Sequence, residues 1–204
     1  MPAATEIAYA LGARDDLVAV THDCDFPPEV RALPRVTSAT IPAGATSREI
    51  DTLVRDAASR GESTFHLDAA ALRAAAPEVI LGQTLCAVCA VTLDQVPREL
   101  PLEPRVVPLE AGSLDGMYDD VARIGDALDR GADARRLIGS LRARVDAVRR
   151  AVAGRARPRV ACIEWIDPPY SGGHWVPEQV RLAGGDDVLG EPGARSRVLE
   201  WDDV

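Results

Sequence analysis

From Ala132 to about Ala153 the chain runs without a proline, and Leu137, Ile138, Leu141, Val145, Val148 and Val152 recur on one helical face. About 22 residues rising 1.5 Å each make a rod of roughly 33 Å, the width of a small domain. "GRARP" breaks the pattern, and a new apolar run, "RVACIEWI", opens after it. The spacing therefore predicts three parts: an α/β unit over 1–131, a linking helix over 132–153, and the start of a second α/β unit over 154–204.

The first part alternates helix and strand signals. "ATEIAYALGARDDLVAV" reads as a short helix with Thr5 as N-cap, a stop at Gly12, and a buried strand from Leu17 to Val20. "THDCDFPPEVRALP" follows as a loop and a turn of helix. In "ATSREIDTLVRDAASRG" Thr46 and Glu49 form a capping box ahead of the stripe Ile50, Leu53, Val54 and Ala57. "DAAALRAAAP" is a helix leading into strand "EVILGQ", which ends in "TLCAVCAV". A strand over Arg105–Leu109 then precedes the amphipathic helix "SLDGMYDDVARIGDALDRG". Strands alternating with helices imply a parallel sheet. Past 154 only one strand is evident, and one strand is not a sheet, so the second unit reads as incomplete.

Charge excludes some functions. All 23 basic residues are arginine, and 32 acidic residues leave a net charge of −9. That balance argues against a nucleic-acid or anionic-membrane surface. No apolar run approaches the roughly 20 residues of a membrane span. No basic-then-apolar leader is visible, so thiols or metal ligands in a reducing compartment are the expectation for Cys24, Cys86, Cys89 and Cys162.

Ligands of parallel α/β folds bind where loops leave the carboxyl ends of strands. Three such loops hold the scarce chemistry. One carries His22, Asp23, Cys24, Asp25 and Phe26; the next Gln83, Cys86 and Cys89; the third, in "EWIDPPYSGGHW", Asp167, Tyr170, His174 and Trp175. Cys86-x-x-Cys89 has zinc-type spacing but no second pair, so inert packing, metal or cofactor contact, and redox chemistry all stay open. His66, ahead of a helix in "STFHLD", caps or packs. Pro168-Pro169 and Gly172-Gly173 could simply end a strand and turn the chain. The alternative is that the prolines aim Tyr170 over a cleft and the glycines let a bulky ligand come close.

In this order, "PAATEIAYALG", "DCDFPPEV", "LRAAAPEVILGQ" and "WIDPPYSGGHWVPEQVRLAGG" resemble the iron-siderophore and cobalamin class of ABC-transporter substrate-binding proteins, most nearly its cobalamin-binding branch. The resemblance covers nearly the whole chain. It implies two Rossmann-like α/β lobes joined by a single long helix, with the ligand between them and no enzymatic activity. It also implies a location outside the cytoplasm, and ABC permease subunits as partners that meet acidic residues at the lobe tips. Carried over by position, it makes Asp25, Phe26, Gln83, Tyr170 and Trp175 ligand contacts, with cobalamin or another metal chelate as the ligand. His22, Cys24, Cys86, Cys89 and His174 become candidate ligands for a metal ion or a cobalt centre. The family has a strand ahead of "PAATE", where Met1 stands here. It also continues past "LEWDDV", so a truncated reading frame with a truncated second lobe is the expectation. The competing reading is a cytoplasmic thiol-dependent metal-binding protein or enzyme using Cys86 and Cys89.

Overall fold

The computed structural model describes residues 1–83, 96–97 and 100–204. Helix α1 (Pro2–Ala10) opens the chain and a single 3-10 turn, Arg14–Asp16, follows it. After a second 3-10 turn, Pro28–Ala32, come β1 (Thr37–Ala39), α2 (Ser47–Ser59), β2 (Phe65–Leu67), α3 (Ala69–Ala75) and β3 (Val79–Gln83). Then follow β4 (Arg105–Leu109), α4 (Leu114–Ala127) and α5 (Gly131–Val152). The last part holds β5 (Arg159–Val160), β6 (Ile163–Ile166), β7 (Pro169–Ser171), α6 (Val176–Leu182) and β8 (Asp186–Asp187).

The long helix is continuous, as the spacing predicted. At its start it packs on α4 so closely that a methyl group on Gly125 would sit 2.5 Å from Ala134 Cβ. Around that contact Leu11, Val107, Leu109, Val121 and Ile124 are buried, with Leu137 and Ile138 of α5 against them. Fully burying one such side chain contributes about 1.5–3 kcal/mol. At its far end Val152 meets the Gly184-Gly185 turn, where a Gly184 Cβ would stand 2.8 Å from Val152 Cβ. Between these anchors the apolar stripe is only partly covered, and Val148 is exposed.

Several local expectations are corrected. Thr5 does not cap α1; the helix starts at Pro2, whose fixed φ and missing N–H suit the first turn. Leu17–Val20 is no strand: only Val20 bridges Arg35. Its N–H donates to Pro34 O and its carbonyl accepts from Val36 N, and Pro34 has no N–H to extend that ladder. His66 lies exposed on β2, and Asp68, whose side chain accepts from Ala70 N and Ala71 N, caps α3 instead. The Thr46–Glu49 capping box is present on α2.

The sheet is not uniformly parallel. β3 with β4 and β5 with β8 are parallel pairs, but β1–β2 and β6–β7 are antiparallel. Residues 40–64 bring the chain back to the end of β1 that it left, with Thr40 N bonded to Thr64 O, so α2 rides in a wide hairpin loop rather than a crossover. "RVACIEWI" is two strands. β5 pairs with β8 and β6 with β7, with a break at Ala161–Cys162, so the second part holds four short strands where one was expected.

Candidate functional site

The loop after Val20 is held by partly buried hydrogen bonds. Arg35 donates to the carbonyls of Thr21 and Cys24. Thr37 on β1 fixes His22 twice: its hydroxyl accepts from the His22 backbone N–H at 3.0 Å and meets Nδ1 at 2.7 Å. The imidazole leans on Phe65, ring centroids 5.4 Å apart. With Nδ1 engaged, Nε2 lies 3.4 Å from the Asp23 carboxylate. Further along, Asp25 lies at the surface near Arg31, and Phe26 keeps 60% of its surface exposed.

Cys24 faces the other way. It is fully buried among Val20, Val30, Tyr9 and Leu33, and its Sγ lies 3.2 Å from both the Thr5 and the Thr21 hydroxyls. Burial pushes this thiol up, but the Met1 ammonium and the two hydroxyls outweigh it and leave it below its ordinary range. A β-branched hydroxyl on each side and an apolar surround make Cys24 a core residue. Cys86 and Cys89 lie outside the described residues. Among the described residues no group of three or more His, Cys, Asp and Glu could hold a metal ion.

β6 and β7 form a short hairpin whose tip, Asp167-Pro168, reaches α2 of the first unit. Arg48 clasps the Asp167 carboxylate with two hydrogen bonds, from Nε at 3.1 Å and from Nη2. The Trp165 indole N–H is shared between Ser47 O and Asp167 O, 3.1 Å each. Tyr170 donates its hydroxyl to Asp51 at 2.8 Å and accepts from Arg55 at 3.1 Å, while Arg55 Nε pairs with Asp51 at 2.9 Å. Burial raises the Tyr170 phenol, and the bond to Asp51 adds to it because an anionic acceptor favours the neutral donor. Tyr170 thus stays a neutral donor through the neutral range. Arg48, Asp51 and Arg55 were not singled out from the sequence. An i,i+4 Asp–Arg pair on a helix reads as a solvated face, and nothing local signals a partner more than a hundred residues away.

The glycine pair also serves the chain itself. A methyl on Gly172 would meet Val176 Cγ1 at 2.7 Å, and one on Gly173 would meet the Ser196 backbone nitrogen at 2.4 Å. The space beside Gly172 is filled by Val176 and Cys162 and that beside Gly173 by residues 195–196, correcting the expectation that a ligand approaches there. His174 is held by its backbone, N–H to Ala194 O and carbonyl from Gly193 N, with φ +53°. Its half-buried ring lies 6.3 Å from that of Trp175, which stands partly exposed at the start of α6. Gln83 ends β3, half-buried, in register with Leu109. A second tie joins the units: Glu178 of α6 accepts from Leu114 N at the start of α4, where a carboxylate is favoured. A cavity of about 530 Å³ lies inside the first unit between α1, α3 and β3, and none of the candidate residues lines it.

The chain shares its fold with solved periplasmic binding proteins. Over 99% of this chain and 69% of theirs it matches the periplasmic vitamin B12 binding protein BtuF of Vibrio cholerae, with TM-score 0.65 and 20% identity. The periplasmic heme binding protein HutB of Vibrio cholerae matches over 99% of this chain and 68% of its own, with TM-score 0.69 and 18% identity. A possible iron-binding periplasmic solute-binding protein of Staphylococcus epidermidis matches over 100% and 70%, with TM-score 0.67 and 19% identity. No family model matches the chain, and no curated protein does. No helix of the described residues is long and apolar enough to cross a membrane.

Proposed function

We propose that the chain is a non-enzymatic, extracytoplasmic substrate-binding component of an ABC-type uptake system. Its ligand is a large flat metal chelate, cobalamin or a close relative, held between two lobes and passed to permease subunits. The observation that carries this reading is the fold match over essentially the whole chain to solved proteins that bind vitamin B12 and heme. The side chains suit such a ligand. Phe26 presents an aromatic face to solvent, Trp175 a partly exposed one, and Tyr170 a ring fixed by its hydroxyl. Asp25 and Gln83 add polar groups that would fix orientation, and the His22 ring, with the His174 ring, supplies imidazoles suited to an axial metal position. Cys86 and Cys89 remain candidate soft ligands in this reading.

Titration of the protein with cyanocobalamin and, separately, with hemin tests it by the change in the chromophore's absorbance. Phe26→Ala is expected to weaken binding by about 1–3 kcal/mol, as for a buried aromatic contact. No saturable binding of either probe, or an affinity indifferent to both Phe26→Ala and Trp175→Ala, would sink the reading.

A further inference from the structure

Helix α2 makes its closest specific contacts with the opposite unit. Its own apolar stripe is thinly covered: Ala57 is its one buried residue and Leu53 is 40% exposed. Its N-terminal half is fastened to the β6–β7 hairpin by polar bonds through Arg48, Asp51, Arg55 and the Ser47 carbonyl. Arg48 and Asp167 are 72% and 42% exposed, so water and salt compete for that pair. The loops that tether α2 each contain a glycine with positive φ, Gly44 at +87° and Gly61 at +67°, and a Cβ on either would meet nothing within 4 Å. Residues at such points can absorb a change of backbone direction without repacking a core.

From this arrangement we propose that α2 is a strap on the ligand site, in which Asp51 and Arg55 position the Tyr170 ring and the clasp on β6–β7 opens to let ligand pass. The inference rests on the ligand reading above for what passes, but the strap itself is a property of the free protein. α4 and α5 bury their contact in a shared core, whereas α2 buries Ala57 alone and is tied to the hairpin by polar bonds. Opening therefore costs the fold little, and Tyr170 is in place only while the strap is shut.

Hydrogen exchange read by mass spectrometry on the free protein decides it. Amides of α2 are expected to exchange faster than those of α4, and to speed up as NaCl rises from roughly 20 mM to about 0.5 M. Arg48→Ala and Asp51→Ala should each add a further three- to fivefold, about the population shift of a weak exposed ion pair, with α4 and α5 unchanged. Asp51→Asn keeps an acceptor for the Tyr170 hydroxyl and should recover most of the protection. If α2 is as protected as α4, and indifferent to salt and to both alanine variants, there is no strap. In stopped-flow with hemin or cyanocobalamin, Arg48→Ala should raise the rates of uptake and release together and leave the affinity nearly unchanged. A fall in affinity with unchanged rates of release would overturn the gating role. Exchange as expected with neither probe bound would leave the strap standing and fell the ligand reading instead.

Discussion

Gly173→Ala separates a glycine kept for the protein's own packing from one kept for a ligand. A methyl there would lie 2.4 Å from Ser196 N, 3.0 Å from Ser196 Cα and 3.1 Å from Arg195 C, all backbone atoms. That segment has little freedom to yield. Ser171 N bonds to Arg197 O at 3.0 Å, Gly172 N to Cys162 O at 2.8 Å and His174 N to Ala194 O at 2.6 Å. Moving residues 195–196 aside by the half-ångström or more that relieves the clash gives up one or two of these bonds. Each is worth about 1 kcal/mol, and overpacking strain adds about 1–3 kcal/mol. The sum is about 3 kcal/mol, which for a chain of this size lowers Tm by roughly 6–12 °C. Thermal unfolding of the ligand-free protein by circular dichroism measures it, with Gly112→Ala as the control because a Cβ there would touch nothing within 4 Å. An unchanged melt together with weakened ligand binding would refute the packing argument and return Gly173 to the ligand.

Other substitutions probe the rest of the frame. Asp120 is buried, accepts from Glu110 N and Ala111 N and pairs with Arg123, so Asp120→Ala should cost about 1–3 kcal/mol in denaturant unfolding by orphaning the two donors. Burial raises the Asp120 carboxyl above its ordinary value despite those bonds. Its protonation thus supports the fold fully below the unfolded value and less as pH climbs through the raised folded one. Asp120→Asn should flatten stability against pH just above the ordinary carboxylate range. Gly139→Ala, in the middle of α5 with nothing near its Cβ, should stabilise by about 0.5–1 kcal/mol, read as a higher Tm. Cys24 should resist iodoacetamide in the native protein and react only after unfolding, as mapped by mass spectrometry; ready native labelling would place it outside the core.

Helices were legible because their signals are local. The stripe from Leu137 to Val152, the capping box at Thr46 and the Gly-Gly end of α6 each declare themselves within a few residues. Strand pairing was not, since direction and partner depend on where a connection returns the chain; residues 40–64 hold a helix yet close an antiparallel pair. The site was legible as a set of loops and not as a set of contacts. Cys24 and Phe26 stand two apart in one loop, but one is sealed in the core and the other is exposed, a difference set by Thr5 and Val30 rather than by the loop's own sequence. Glycine misled for a related reason. Its missing Cβ says that something approaches closely, and only the fold says that the neighbour is Ser196.

The same contrast bears on how such a protein could open. A continuous helix of 22 residues, anchored by Ala134 against Gly125 at one end and by Val152 against Gly184 at the other, resists bending because both anchors would lose close-packed contacts. A hinge there would be costly. The ties across the site are different in kind: Glu178 on Leu114 N, Arg48 on Asp167 and Tyr170 on Asp51 are all polar, the Arg48–Asp167 pair open to water and the other two partly buried. Solvent replaces such bonds at small net cost, about 1 kcal/mol each or less at the surface. On the proposed function, access to a ligand between the units is set by α2 and the hairpin it clasps, while α5 holds its two anchors at a fixed separation.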